Sequence, residues 1–183
     1  MNPLDLIERY YDKNTKVYRI LINHSRCVAD KALALAKSHP EMNFDLAFIE
    51  EAAMLHDIGM IFCDAPEIGC FGTHHYVCHG FLGAELLRKE GFPRHARVCE
   101  RHTGTGITRQ MIKEKKMPLP YRDFLPVSLE EQIICFADKF FSKTNPDIEK
   151  DYFTILKSLS KHGDETVSRF KDWYELFLGQ NEP

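Results

Sequence analysis

The chain has 183 residues, 44% of them hydrophobic and 28% charged, with a formal net charge of −3. That is globular composition with length enough for a core; it argues against disorder, and the mild negative charge gives no basis for nucleic-acid binding. No apolar run reaches membrane-spanning length, the opening MNPLDLIERYYDK puts acids where a secretion signal needs basic and then apolar residues, and six cysteines without a C-x-x-C pair read as reduced thiols of a cytoplasmic protein.

In chain order, the apolar periodicity predicts a short helix over about 3–12 and a longer one over about 15–38, stopped by Pro40. Asn43 is expected to cap a third helix through Phe44, Phe48, Ala52 and Leu55, with Gly59 as its stop. Residues 60–77, carrying Pro66, Gly69 and Gly72, read as a long loop of the kind that is often functional. Helices resume over about 79–90 and 93–103; TGTG (103–106) breaks the pattern, and MPLPYRDFLP (117–126) is a connector. The IKEKK stretch between them, 112–116, is a solvated face rather than a nucleic-acid patch. SLEE (128–131) is a capping box opening QIICFADKFFSK, and two amphipathic helices over about 146–161 and 164–178 close the chain. Strand alternation is scarce, so the class is all-α. The aromatic tail, with Phe153, Phe170, Trp173, Tyr174 and Phe177, reads as core or as the face of a homodimer.

Nine histidines are many for this length. His39, His95 and His162 sit at helix ends and read as exposed. His24, His56, His79, His102 and Asp138 instead share helical stripes with apolar neighbours, and Asp57 adjoins His56 at the end of an apolar run. A buried carboxylate needs a salt bridge, a helix cap or a metal ion. Two aspartates among four histidines would leave too many groups to neutralise by proton shifts, whereas a cation removes the cost directly. Imidazole and carboxylate donors suit divalent iron, manganese or zinc.

The order His24, then His56-Asp57 in HDIG (56–59), then Asp138 resembles the HD-domain superfamily of metal-dependent phosphohydrolases. His79 in HGFLGAELL and His102 in ERHTGTGI resemble the extra pair of its two-metal members, and the likeness spans about residues 20–143. It implies one HD-type helical domain over 1–183, with its core at about 20–143 and the helices of 146–178 packed on it. It further implies one ion on His24, His56, Asp57 and Asp138, and a second on His79 and His102 that shares Asp57. A hydroxide held between the ions would then attack a small, nucleotide-like phosphorylated substrate. The alternatives are a di-iron oxygenase of the same superfamily and, ranked last, a non-catalytic nucleotide or metal sensor.

Around this set, His75 is expected as a proton donor to phosphate or leaving oxygen, with His74 competing for the role. Arg26, Lys139 and Thr103 are expected to contact substrate phosphate. Each has a plain alternative: a solvated loop histidine, a surface ion pair, or a helix end. No nucleic-acid partner and no membrane association are expected.

Overall fold

A computed structural model describes residues 1–145 and 148–179. Helices dominate it: α1 Pro3–Tyr10, α2 Lys16–Ser38, α3 Leu46–Leu55, α4 His79–Lys89, α5 Pro93–Arg101, α6 Arg109–Glu114, α7 Leu129–Asp138, α8 Tyr152–Leu159 and α9 Asp164–Leu178. Among the described residues the single sheet is a two-stranded antiparallel ribbon, β1 Asp64–Ala65 paired with β2 Cys70–Phe71. The all-α reading stands, and no described helix is long and apolar enough to cross a membrane.

Helix starts follow side-chain caps. Thr15 accepts from the Tyr18 N–H to open α2, and Ser128 accepts from the Glu131 N–H to open α7. Glu131 reaches back one residue further than a capping box requires, accepting from the Val127 N–H at 2.8 Å. The third helix departs from expectation at both ends. Asn43 is not its cap: a 3₁₀ turn at Pro40–Met42 leaves Asn43 left-handed at φ 52°, and Asp45 takes the capping role by accepting from the Phe48 N–H. Nor does Gly59 stop the helix, because α3 ends at Leu55 and Gly59 lies inside a buried 3₁₀ segment, Ile58–Phe62. Its hydrogen side chain lets that segment touch Gly83 of α4 backbone to backbone.

Three further segments differ. Loop 60–77 contains the ribbon and the 3₁₀ turns Pro66–Ile68 and Tyr76–Cys78. Thr108 caps the short α6, which takes in the first part of IKEKK. Asp151 caps α8, so that helix starts later than 146; residues 146 and 147 lie outside the described residues. His39 and His95 are not simple surface residues. His39 donates from Nε2 to the Phe177 carbonyl at 3.0 Å, tying α2 to α9. His95 packs edge-on to Phe48 and Phe92 and meets Glu51 at 3.1 Å.

Two large apolar clusters make most of the core, beside a small third one at Ile107, Ile112 and Phe124. One joins α2, α3 and α7 to α8 and α9 through Phe136, Phe170, Trp173 and Phe177; the other joins α1, α4 and α5 to the ribbon through Ile7, Leu21, Ile58 and Leu87. Most of the aromatic tail therefore faces inward, although Phe153 is 67% exposed. Along α2, His24 falls between Leu21 of one cluster and Val28 of the other, and His56-Asp57 fall between Met54 and Ile58 in the same way. The polar residues thus collect at the seam between two cores.

Candidate metal centre

The structure brings His24, His56, Asp57, His79, His102 and Asp138 together, all of them buried. Asp57 is at the centre. Its Oδ2 lies 3.3 Å from His24 Nε2 and 3.2 Å from His56 Nε2, while its Oδ1 lies 3.2 Å from His79 Nε2 and 3.3 Å from His102 Nε2. Asp138 Oδ1 closes the first set, 2.9 Å from His24 Nε2 and 3.6 Å from His56 Nε2. One carboxylate therefore divides its two oxygens between two groups of imidazoles.

Local structure fixes how three of the rings present themselves. His56 Nδ1 donates to the Ala53 carbonyl at 2.6 Å, His79 Nδ1 to that of Tyr76 at 2.7 Å and His102 Nδ1 to that of Cys99 at 2.7 Å. A carbonyl only accepts, so Nδ1 of each ring carries a proton and Nε2 is the nitrogen turned inward. His79 and His102 bring those two nitrogens to 3.0 Å, close enough to share a proton or a cation. Two donors bound in adjacent positions to one ion at about 2.1 Å lie about 3 Å apart, the spacing found throughout this cluster. His56 Nε2 and both Asp57 oxygens make no well-aligned hydrogen bond; what faces the carboxylate is the imidazoles and, at Oδ2, the Lys143 ammonium at 2.8 Å. The donor set fits a divalent cation, and cation-sized groups of three recur within it: His24 with His56 and Asp138, and His56 with Asp57 and His102.

Within the cluster, burial and the neighbouring charges pull against one another. Burial opposes charge on His56, but Asp57 and Asp138 outweigh it and raise its pKa to about 9. Burial dominates at His102, whose pKa is pushed down to about 3. Against burial, Lys143 and His56 hold Asp57 well below the carboxylate range, and Lys139 and His24 do the same for Asp138.

Of the remaining predicted residues, Lys139 is at the centre: its Nζ lies 2.7 Å from Asp138 Oδ2 and 3.1 Å from the His102 carbonyl. The structure does not bring the other four into hydrogen bonds or ion pairs with the six. Arg26 is exposed and pairs with Glu50, and His74 faces a separate cavity beside Tyr10 and Leu82. His75 accepts from the Val77 N–H to start the turn before His79, and Thr103 lines a small apolar pocket with Val77 and Ile107. Two residues at the centre escaped the sequence reading. Lys143 places Nζ 2.8 Å from Asp57 Oδ2, and Tyr76 stacks on His79 at 4.7 Å between ring centres. Neither shares an apolar helical stripe, so periodicity carried no signal for them. Behind the histidines, the Cys99 thiol donates to the His56 carbonyl at 3.0 Å and the Cys135 thiol to that of His102 at 3.3 Å.

A helical fold with a buried histidine–aspartate cluster suited to a divalent cation defines the class. The HD domain model matches residues 21–142, and the chain belongs to that family. It is similar to an uncharacterized protein of Methanocaldococcus jannaschii, 35% identical over 146 residues that cover 78% of this chain and 79% of the relative. It is also similar to two proteins named tRNA (cytidine(56)-2′-O)-methyltransferase. The one from Thermoplasma volcanium is 32% identical over 76% of this chain, and the one from Picrophilus torridus 32% identical over 67%. The matched stretch spans 35% and 32% of those two proteins, about a third of each. No solved structure matches.

Proposed function

We propose that the chain is a metal-dependent phosphohydrolase acting on a small, nucleotide-like phosphorylated compound in the cytoplasm. The observation that carries the proposal is the Asp57 carboxylate, which offers one oxygen to each of two buried histidine groups. In this reading His24, His56, Asp57 and Asp138 hold one divalent ion, and His79 and His102 hold a second that shares Asp57. Such a pair supplies Lewis acidity to a phosphoryl group and makes water a competent nucleophile near neutral pH.

The chain's own groups do the remaining work. The Nδ1 anchors on Ala53, Tyr76 and Cys99 keep three rings in the donor orientation. Lys139 holds the outer oxygen of Asp138, leaving Oδ1 directed inward. Asp138, Lys139 and Lys143 also line a cavity of about 380 Å³, together with Ser142, Thr144 and Lys150. A lysine- and hydroxyl-lined cavity opening beside the carboxylates favours a phosphate ester or anhydride over an uncharged substrate, and so hydrolysis over oxygenation. Methyl transfer is named for the two longer relatives, of which the matched stretch spans about a third, and is not carried over to this chain.

The test is protein purified anaerobically, assayed for metal content and for phosphate release from a panel of phosphorylated metabolites. Release that needs bound metal and falls at least about a hundredfold in Asp57→Asn is expected. Oxygen uptake dependent on a substrate, with no phosphate released from any compound, would replace this reading with the oxygenase.

A further inference from the structure

Three lysines line the cavity beside the centre, and their attachments differ. Lys139 is fixed between Asp138 and the His102 carbonyl, and Lys150 donates to the Phe141 carbonyl at 3.2 Å and the Lys139 carbonyl at 3.5 Å. Both tie down the end of α7. Lys143 reaches the other way, out of the non-helical segment after α7 and into the centre, where Nζ meets Asp57 Oδ2 at 2.8 Å and lies 5.8 Å from the middle of the Tyr76 ring. Its side chain is only 19% exposed, and Glu67 is the other acid on the cavity wall besides Asp138.

That oxygen is also the one facing His24 and His56, at 3.3 and 3.2 Å. An ammonium and a dication cannot both sit against it without strong repulsion, since at such separations the interaction between them is worth several-fold more than a hydrogen bond. Moving Lys143 costs little structure, because its residue lies in a bend without helical bonds to break. The space it would swing into is the cavity it already lines.

We infer that Lys143 is a tethered cation that competes with metal for Asp57 and, once displaced, turns into the cavity to bind the anionic group of the substrate. This rests on the metal-centre reading above. It makes the two events cooperative: metal frees the lysine that anion binding uses, and a bound anion keeps that lysine away from Asp57.

The experiment uses the full-length protein loaded with Mn²⁺ and challenged with a graded chelator; inorganic phosphate is then titrated calorimetrically onto the loaded protein. Lys143→Met should hold Mn²⁺ at least about tenfold more tightly, because the competing charge is gone, and bind phosphate about tenfold more weakly. Lys143→Arg keeps the charge and should stay within about threefold of wild type on both measures. Opposite signs in Lys143→Met are the signature, since a merely structural lysine would weaken both or neither. Weaker Mn²⁺ retention, or unchanged phosphate affinity, in a folded Lys143→Met protein overturns the inference. Wild-type protein that retains no more Mn²⁺ than His56→Ala would instead remove the metal-centre reading beneath it.

Discussion

Gly59→Ala tests whether the backbone contact between the 3₁₀ segment and α4 sets the geometry of the centre. A methyl group there would lie 2.1 Å from the His79 carbonyl oxygen, 2.4 Å from Gly83 N and 2.7 Å from Gly83 Cα. Ordinary contact begins at 3.4 Å, and every obstructing atom is backbone, so no rotamer change relieves the clash. The two segments must part by about 1 Å, at a cost of about 2–4 kcal/mol for overpacking a rigid contact. His79 is the first residue of α4 and Asp57 directly precedes the 3₁₀ segment, so parting them stretches the 3.2 Å approach of Asp57 Oδ1 to His79 Nε2. Gly91→Ala is the comparison: it meets nothing within 4 Å and bears only the strain of φ +85°, about 1 kcal/mol. Urea unfolding gives the stability difference, and metal content per folded molecule gives the effect on the centre. Equal destabilisation by the two substitutions would refute the packing argument. Full metal content in Gly59→Ala would refute the link from packing to the centre.

Asp57→Asn should strip metal from both donor groups, whereas His79→Ala should remove about one equivalent and leave the fold; equal metal content in His79→Ala and wild type, measured by mass spectrometry, would reduce the centre to a single ion. Glu100, whose side chain is 2% exposed, accepts from Arg88 and Arg122, and these bonds outweigh burial to hold its pKa below the usual value. Its stabilising contribution is thus present above the unfolded carboxylate range and lost as pH falls through the folded pKa; Glu100→Gln should cost about 1–2 kcal/mol at pH 7 and flatten the acid limb of a melting-temperature series. His39 runs the opposite way. The Phe177 carbonyl and then Glu41 raise its pKa, so its contribution is complete below about pH 6.5 and fades as pH rises through the folded value; His39→Ala should destabilise more at pH 5.5 than at pH 8.5 in urea titrations.

The six clustered residues were legible in the sequence because each either interrupts an apolar stripe or adjoins one that ends, and helical spacing turns that into a statement about burial. The helix order was legible for the same reason. Asp45 was passed over as a cap because Asn43 is an equally good capping residue, and only the turn at Pro40 decides between them. The ribbon within 60–77 has strands of two residues, too short to show alternation. His74 and His75 were drawn toward the centre by their closeness in sequence to His79, but the turn at Tyr76–Cys78 intervenes, and His75 spends its Nδ1 on starting it. Lys143 was invisible for a different reason: it reaches Asp57 from a segment without periodicity, so nothing local to either residue announces the pair.

Cys99 and Cys135 are wholly buried, and burial raises both thiols, Cys135 to about 12. Neither can react with an alkylating reagent while the helices behind His56 and His102 stay closed. Their labelling therefore runs as a clock on the opening of that wall, read without substrate or turnover. Because each thiol bonds to the carbonyl of a different clustered histidine, peptide mapping of the label would time the two sides of the wall separately, at Cys99 for His56 and at Cys135 for His102.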